Sequence, residues 1–264
     1  MIAKIMHDEA GIYLPPAKNS LVFARLSKRL RALNLTNFKD YCNLVTSDRG
    51  HGERRQMLSA LTTNVTNFFR EKHHFEHMRL VSLPPLLKRA REGGRVRLWS
   101  AGCSTGQEPY SIAFTILMLE PRANSLDLRI LATDIDPKVV ETGARGLYHE
   151  RDLAGVPAEV RDRWVHKVAG SGNGMMEISE EVCDLISFRE LNLNSHWPMR
   201  GQFDIVFCRN TVIYFNGETQ AQAWNNFGNV IPSGGWLYIG HSERISGPAE
   251  AFFSNLGTTT YRKK

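Results

Sequence analysis

The chain opens with apolar side chains at helical spacing, which predict a small helical domain over residues 1–85. In one stretch these side chains fall three or four residues apart, at Val22, Leu26, Leu30 and Leu33. The basic residues of that stretch lie largely off the apolar face, at Arg25, Lys28, Arg29 and Arg31. An amphipathic helix of this kind buries its apolar stripe and leaves most of its charges outside.

A different pattern begins after Pro84, Pro85 and the sequence Glu92-Gly93-Gly94. Short apolar runs now alternate with helical segments, which is typical of a doubly wound parallel sheet. The predicted strands are residues 96–101, 128–133, 186–190, 203–208 and 235–240. We therefore predict an α/β domain over residues 86–264.

Residues 146–183 interrupt this alternation. They contain a short helical segment at 157–164 and two strand-like runs, around 165–168 and 175–178, joined by the glycine-rich residues 170–174. The pattern predicts a small inserted antiparallel β subdomain. Insertions at the rim of such a sheet often serve recognition, and a loop without any partner is the alternative.

Composition narrows the class of protein. The 264 residues, 42% of them hydrophobic, can bury a substantial core, and they contain neither an apolar run near membrane-spanning length nor a signal-peptide layout. The four cysteines are widely spaced and fit no metal or disulfide framework. We expect a cytoplasmic protein with reduced thiols. Its formal charge of +6 favours an acidic partner but does not by itself indicate nucleic acid.

The strand at 96–101 leads into a turn of small residues and then into a predicted helix. Gly102 and Gly106 can adopt backbone angles closed to other residues, and the following helix offers unpaired N–H groups at its start. Asp134 and Asp136 end the next predicted strand, where a carboxylate can accept hydrogen bonds from ribose hydroxyls. Together these features predict a nucleotide cradle. Strand-end geometry favours Asp134 over Asp136 as the ribose acceptor, and both stay candidates.

Two further segments are dense in polar side chains. Residues 61–71 place amides, hydroxyls, Phe68, Phe69 and one arginine before a probable helix, so they are either a pocket lining or a capped helix start with both phenylalanines in the core. Residues 203–215 place Arg209, Asn210 and Tyr214 beyond the carboxyl end of an apolar strand. Ligands of open α/β sheets bind at that edge.

These motifs together resemble the chemotaxis receptor methyltransferases, the CheR family. The matching stretches are TTNVTNFFRE (62–71), WSAGCSTGQEPYS (99–111), ATDID (132–136), FCRNTVIYF (207–215) and GHSE (240–243). They occur in the family's order and extend from the N-terminal helices to nearly the last strand. Gln107 stands where many members have glutamate, a departure outside the cofactor contacts.

The resemblance implies a Rossmann-like methyltransferase that uses S-adenosylmethionine, releases S-adenosylhomocysteine and needs no metal. It implies cofactor contacts at Asn64, Thr66, Arg70, Gly102, Glu108, Asp134 or Asp136, Asn192, Leu193, Arg209 and Asn210. It also implies that Tyr214 faces the methyl group and the incoming carboxylate, with Arg70 as a positioning group at the reacting centre.

The resemblance further implies a substrate, glutamate side chains of bacterial chemoreceptors, whose methylation serves chemotaxis adaptation. The basic residues Arg25, Lys28 and Arg29 are then expected to face the acidic receptor helices. The protein is expected to act as a monomer in the cytoplasm, recruited to membrane receptor arrays without inserting into the membrane. A receptor C-terminal peptide is a further expected partner, added as a strand to the inserted β subdomain.

Other functions fit the residues less well. An NAD-dependent dehydrogenase should show GxGxxG, which residues 101–106 do not supply, and a nucleic-acid methyltransferase acting on amino groups should show an NPPY-type tetrapeptide where Cys208-Arg-Asn-Thr211 stands. An adaptor that senses the cofactor without methylating is the non-enzymatic alternative. His73 and His77 share a helix face, but neither an HExxH arrangement nor a third ligand accompanies them, which favours a surface or interdomain role.

Overall fold

The computed structural model describes residues 1–168, 170 and 174–264. Four helices form its N-terminal part: α1 (Ile2–Ala10), α2 (Asn19–Ala32), α3 (Phe38–Thr46) and α4 (His51–Leu61). The side chain of Asn37 caps α3 by accepting a hydrogen bond from the Asp40 N–H. As the spacing predicts, Leu26 and Leu30 of α2 are buried.

The chain then enters the sheet domain through α5 (Lys72–His77), a π-helical turn at Met78–Ser82 and α6 (Leu83–Arg91). Seven strands form one sheet in the described residues: β1 (Val96–Ala101), β2 (Leu128–Asp134), β6 (Ile186–Glu190), β7 (Ile205–Cys208), β8 (Trp236–Ile239), β9 (Phe253–Gly257) and β10 (Thr260–Lys263). The helices of this part are α7 (Gln107–Leu119), α8 (Pro137–Arg145), α9 (Ala158–Trp164), α10 (Glu180–Cys183) and α11 (Gly217–Val230).

The strand order is β6-β2-β1-β7-β8-β10-β9, with β10 antiparallel to both of its neighbours and the other pairs parallel. The predicted Rossmann-like α/β sheet is therefore confirmed, and each of the five predicted strands is present with similar bounds. The closing pair β9 and β10 was not predicted. After β6 the chain returns to the other side of β1, so the order reverses between β1 and β7, where such sheets bind ligands.

The inserted β subdomain is also confirmed. It is a three-stranded antiparallel sheet in the order β3-β5-β4, formed by β3 (Leu147–His149), β4 (Val165–Lys167) and β5 (Met175–Ile178). The sequence predicted the β4–β5 pair but not the three residues of β3. Of the predicted glycine-rich connection, residues 171–173 lie outside the described residues, as does residue 169.

Two apolar clusters cover the two faces of the large sheet. One contains α7 and the inserted subdomain, with Phe114 and Trp164 among its buried side chains. The other joins the N-terminal helices to α11 through Met6, Met57 and Trp99 of β1. The N-terminal helices therefore pack directly on the sheet domain, beside the carboxyl ends of β1 and β7. No helix in the described part of the chain is long and apolar enough to cross a membrane.

Candidate active site

A cleft lies at the carboxyl edge of the sheet, at the reversal of strand order. Of the residues predicted to contact the cofactor or the methyl group, those that line this cleft are Asn64, Thr66, Arg70, Gly102, Glu108, Asp134, Asn192, Leu193, Arg209, Asn210 and Tyr214. Asp136 does not line it. The structure thus brings together side chains that are up to 150 positions apart in the chain (214 minus 64).

The turn after β1 shapes the floor of the cleft. Gly102 has φ +84°, and a Cβ at this position would lie 2.2 Å from Thr211 Oγ1. The N–H groups of Gly102 and Cys103 both donate to the Thr133 carbonyl at 2.8 Å, which ties the turn to β2. Gly106, with φ +97°, begins α7. Glycine is required because both positive φ and close approach exclude a side chain.

Asp134 is fixed in the wall of the cleft by backbone donors. Its two carboxylate oxygens accept from the Ser104 N–H at 2.8 Å and the Asp136 N–H at 3.0 Å. Burial raises the pKa of Asp134, and these hydrogen bonds oppose the rise. Each carboxylate oxygen has a further lone pair, so the group can still accept from a ligand hydroxyl.

Asp136 is only two residues from Asp134 in the chain, but its side chain has a structural role. It caps α8 by accepting from the Lys138 N–H at 3.0 Å, and its other oxygen accepts from Ser59 Oγ at 2.9 Å and Asn64 Nδ2 at 3.3 Å. The side chain is 2% exposed. Its oxygens are therefore turned away from the cleft and used for the fold.

The sequence of segment 61–71 left two alternatives, a pocket lining and a capped helix start with the phenylalanines in the core, and the structure shows parts of both. Phe68 is 2% exposed and belongs to the core, whereas Asn64, Thr66 and Arg70 line the cleft. The Asn64 carbonyl accepts from Ser104 Oγ at 3.0 Å, so the segment is joined to the glycine turn. The helix begins only at Lys72 and has no side-chain cap.

A buried charge network joins two residues of the cleft lining, Arg209 and Glu108, to Glu71. The side chain of Arg209 is 2% exposed, lies 3.2 Å from Glu108 Oε2 and 3.4 Å from Glu71 Oε2, and donates to the Arg70 carbonyl. Its Nε is buried and without a partner among the described residues. Burial raises the pKa of Glu108, and the Arg209 charge opposes that rise. A buried arginine needs such partners because an isolated charge is costly.

Glu71 was not among the predicted site residues. Burial opposes its ionisation, but the charge of Arg209 and the hydrogen bonds from His241 outweigh burial and lower its pKa to about 2. The carboxylate lies 3.0 Å from His241 Nδ1. Residues Glu71 and Glu243 each end a motif noted in the sequence, which was the only signal that could have found them.

Glu243 organises the loop that carries Asn210 and Tyr214. Its carboxylate accepts from five backbone N–H groups, those of Asn210, Thr211, Val212, Ile213 and Gly240, at 2.6–3.3 Å. Asn210 has φ +56°, an unusual conformation that these bonds stabilise. The end of β7 and the end of β8 are thereby joined into one rigid edge.

The N-terminal helices close the remaining side. Ala10, Ile12, Leu14, Lys18 and Leu21 line the cleft, a contribution that was not predicted. The Tyr13 N–H donates to the Tyr214 carbonyl at 2.7 Å, and Lys18 Nζ lies 5.7 Å from the centre of the Tyr214 ring. The methyl-facing position expected for Tyr214 is therefore bounded by residues at the start of the chain.

The three basic residues of α2 expected to face the receptor have unequal surroundings. Arg25 donates to the carbonyls of Leu61 and Thr62 at 2.8 and 2.9 Å, and Arg29 forms a two-fold hydrogen bond to Glu53 at 3.0 and 2.7 Å. Lys28 is exposed. The guanidinium groups of Arg25 and Arg29 are therefore bonded within the protein, and receptor contact at all three residues stays a prediction.

The histidines give no support to a metal centre. Ligand atoms of Glu71, His73 and His74 lie within 4.8 Å of one another, but the Glu71 carboxylate is already paired with Arg209. His77 Nδ1 lies 2.8 Å from the Tyr238 hydroxyl, which joins α5 to β8. His77 therefore has a structural contact outside this group, and His74 Nδ1 has no hydrogen-bond partner among the described residues.

Comparison with protein families gives two adjoining matches. The model described as "CheR methyltransferase, all-alpha domain" matches residues 1–62, and "CheR methyltransferase, SAM binding domain" matches residues 64–262.

Curated relatives match over nearly the whole chain. A probable chemotaxis protein methyltransferase of Rhizobium etli is 52% identical over 258 residues, covering 98% of this chain and 96% of the relative. The chemotaxis protein methyltransferase of Escherichia coli is 36% identical over 267 residues, covering 98% and 88%. Among solved structures, the N-methyltransferase NodS of Bradyrhizobium japonicum with S-adenosyl-L-homocysteine is 15% identical, covering 66% and 62%, with a TM-score of 0.34. A structural likeness of that size carries no conclusion about this chain.

Proposed function

The chain belongs to the CheR methyltransferase family, and we propose that it methylates glutamate side chains in the cytoplasmic signalling domain of chemoreceptors. It is an S-adenosylmethionine-dependent methyltransferase of chemotaxis, which confirms the resemblance of its motifs. The products of the proposed reaction are a glutamate methyl ester and S-adenosylhomocysteine. The observation that supports it best is that the glycine turn, Asp134 and Tyr214 converge on a single cleft.

The residues of the cleft fit the cofactor. Gly102 lines the cleft without a side chain, so a ligand can approach its backbone, and a Cβ there would also collide with Thr211. We assign Asp134 to the ribose hydroxyls, since Asp136 caps α8 and stands outside the cleft. Asn192 and Leu193 are assigned to the adenine side of the cleft. The other proposed cofactor contacts are Asn64, Thr66, Arg70, Glu108, Arg209 and Asn210.

The proposed reaction needs no general base. A glutamate carboxylate has a reference pKa of about 4.3, so it is already an anion at neutral pH. S-adenosylmethionine supplies the methyl group as an electrophile bound to a sulfonium. The task of the chain is to hold the acceptor oxygen in line and to exclude water, and alignment of this kind can lower a barrier by roughly 7–11 kcal/mol.

Tyr214 is the proposed catalytic residue on the acceptor side. Its backbone is held by Glu243 through the Ile213 N–H and by the Tyr13 N–H, and Tyr214 lines the cleft. Arg70 lines the same cleft with its guanidinium donating to the Val65 carbonyl at 3.0 Å. We assign Arg70 to positioning, because a strong cation beside the acceptor carboxylate would stabilise it in the ground state.

The partners follow from the same proposal. The enzyme acts as a monomer in the cytoplasm, at membrane receptor arrays, and contacts the acidic receptor helices through its N-terminal helices. A receptor C-terminal peptide adds as a strand to the edge of the inserted sheet, where main-chain hydrogen bonds supply affinity.

Methyl transfer to receptors tests the function directly. Purified protein, receptor-enriched membranes and S-adenosylmethionine labelled with tritium in the methyl group should give label that base releases as methanol, since carboxyl methyl esters are base-labile. Tyr214→Ala should lower the turnover at saturating cofactor about tenfold or more while S-adenosylhomocysteine affinity changes little. Label that resists base, or label in added nucleic acid, would contradict the proposed substrate, and cofactor binding without any transfer would favour the adaptor.

A further inference from the structure

Arg25 of α2 reaches the segment that lines the cofactor cleft. Its Nη1 donates to the Leu61 carbonyl at 2.8 Å and the Thr62 carbonyl at 2.9 Å, and its Nη2 donates to Thr63 Oγ1 at 3.2 Å. Leu61, Thr62 and Thr63 all line the cleft. We propose that Arg25 is a positioning residue for the cofactor, acting through residues 61–64, and that its main role is not receptor contact.

The place of these bonds along the chain explains their effect. Helix α4 ends at Leu61, so its last carbonyls lack partners within the helix. Thr62 then turns to an extended conformation, with φ −67° and ψ 155°, and the chain runs along the cleft. The planar guanidinium bonds two consecutive carbonyls at this bend, so it fixes the direction in which the segment leaves the helix.

The segment has a second attachment on the other side. The side chain of Asn64 donates to Asp136 at 3.3 Å. The carbonyl of Asn64 accepts from Ser104 Oγ of the glycine turn at 3.0 Å. Residues 61–64 therefore connect α2 with the glycine turn. If Arg25 is removed, one end of this connection is released while the other stays attached.

Arg29 is a matched comparison within the same helix. It is the same residue type one turn later, and it bonds the buried Glu53, which also accepts from the Tyr41 hydroxyl at 2.9 Å. This pair fastens α2 to α3 and α4, and Arg29 does not line the cleft. Arg29 should therefore stabilise the helical domain without an effect on the cofactor.

The experiment compares S-adenosylhomocysteine affinity and unfolding free energy for the full chain with Arg25→Gln, Arg25→Lys or Arg29→Gln. Arg25→Gln should weaken S-adenosylhomocysteine about tenfold. Arg25→Lys should recover part of the loss, because one ammonium nitrogen can replace Nη1 at the carbonyls but leaves the bond from Nη2 to Thr63 unmade. Arg29→Gln should lower the unfolding free energy at least as much as Arg25→Gln does. It should change the affinity for S-adenosylhomocysteine less than about twofold.

Kinetics supply the second readout. At saturating receptor, Arg25→Gln should raise the KM for S-adenosylmethionine, and at saturating S-adenosylmethionine the receptor KM should change little. An Arg25→Gln protein with normal S-adenosylhomocysteine affinity and a raised receptor KM would overturn the proposal, and so would equal losses of affinity in the Arg25 and Arg29 variants. If Arg25→Gln fails to fold, the S-adenosylhomocysteine affinity and the receptor KM of Arg25→Lys test the proposal in the same way.

This inference rests on the proposed assignment of the cleft to the cofactor. The variant Asp134→Ala tests that assignment independently of the role of Arg25. If Asp134→Ala weakens S-adenosylhomocysteine and Arg25→Gln does not, the positioning role is wrong and the cleft is correctly assigned. If neither variant changes the affinity, the assignment of the cleft itself is wrong.

Discussion

The cleft has two walls that are built in different ways. We call residues 102–108, Asp134, 191–193 and 209–215 the sheet wall, and residues 10–21 and 61–70 the helical wall. In the sheet wall, carboxylates such as Asp134 and Glu243 accept backbone N–H bonds close to the strand ends. In the helical wall, a few side-chain hydrogen bonds to residues distant in the sequence, such as those of Arg25, hold the segments.

This difference predicts how each wall responds to substitution. The sheet wall is pre-organised by the fold of the sheet, so a change there should act on the ligand group that the residue contacts. The helical wall is placed by its attachment to other helices, so a change there should act at a distance by shifting a segment. Substitutions in the two walls should therefore differ in the size of their effect on ligand affinity. They should also differ in whether they act on a ligand contact directly or by shifting a segment.

The largest effect is expected at Arg209, the residue of the sheet wall that pairs with two buried carboxylates. Arg209→Met leaves Glu71 and Glu108 buried without their cation, and breaking a buried pair in this way typically costs about 3–5 kcal/mol of unfolding free energy. Urea denaturation measures this cost. Arg55→Met is the control, because the Arg55–Glu190 pair is about half-exposed, with 48% of each side chain accessible, and should cost less than about 1 kcal/mol. Equal costs would mean that the network is not a stabilising element.

The next largest effect should distinguish the two aspartates. Asp134→Ala should weaken S-adenosylmethionine and S-adenosylhomocysteine together by roughly tenfold to a hundredfold, because a charge-assisted hydrogen bond is lost. Asp136→Ala should lower the unfolding free energy by about 1–2 kcal/mol through the lost cap of α8, and it should weaken the ligands less than Asp134→Ala does, because it reaches the cleft only through its contact with Asn64. Calorimetric titration and thermal unfolding of both variants make the comparison. An unchanged affinity for Asp134→Ala would contradict the ribose assignment.

The sequence predicted the sheet wall far better than the helical wall. Gly102 and Glu108 stand in one short stretch whose strand, turn and helix are local features, so a linear pattern can show them. Asp134 and Asp136 could not be separated in this way, because only the tertiary contacts of Ser59 and Asn64 with Asp136 decide their roles. The resemblance to the family supplied the remaining candidate residues of the cleft.

What the sequence missed depends on contacts between distant residues. Ile12 and Lys18 reach the cleft only because the N-terminal helices pack on the sheet, and periodicity alone cannot show which helix end meets which strand end. Arg25 and Arg29 have the spacing of exposed residues but find internal acceptors. The pair β9 and β10 was missed because it follows the last βα unit as a short hairpin.

Acidification should weaken the network behind the sheet wall. Burial, together with the charges of Arg209 and His73, lowers the pKa of His74 from 6.5 to about 3, although Glu71 opposes this. Because the folded-state pKa lies below the unfolded value, the stability from neutral His74 is present above pH 6.5 and is lost as the pH falls towards 3. Glu71, with its pKa lowered from 4.5 to about 2, adds a loss only below pH 4.5.

Between pH 6.5 and 4.5, His74 should therefore contribute a loss of up to about 1.4 kcal/mol of unfolding free energy per pH unit. The unfolding free energy of His74→Gln should depend less steeply on pH than that of the wild type across this window. His166→Gln is the control, because His166 of β4 is exposed and is not among the charges that act on His74, so its removal should leave the slope nearly unchanged. Identical slopes for the wild type and His74→Gln would show that His74 titrates normally in the folded protein.

The smallest effect is expected from substitutions on the outer surface of α2. Exposed and internally bonded basic residues lie close together on this helix and can be compared directly. Lys28 and Arg31 are exposed, unlike the internally bonded Arg25 and Arg29, so they are the basic residues of α2 best placed to meet an acidic receptor helix. Exposed charges act mainly on association rate and its salt dependence. Lys28→Glu combined with Arg31→Glu should raise the receptor KM about twofold to fivefold at low salt.

The same double variant should show a flatter dependence of methylation rate on salt and an unchanged affinity for S-adenosylhomocysteine. Arg25→Gln should show the opposite pattern, with weakened S-adenosylhomocysteine and an unchanged salt dependence, although Arg25 lies less than one turn from Lys28 along the helix. Methylation rate against salt for the wild type and both variants makes the comparison. Parallel curves of equal height for the wild type and the double variant would mean that the outer surface of α2 is only solvated and does not recognise the receptor.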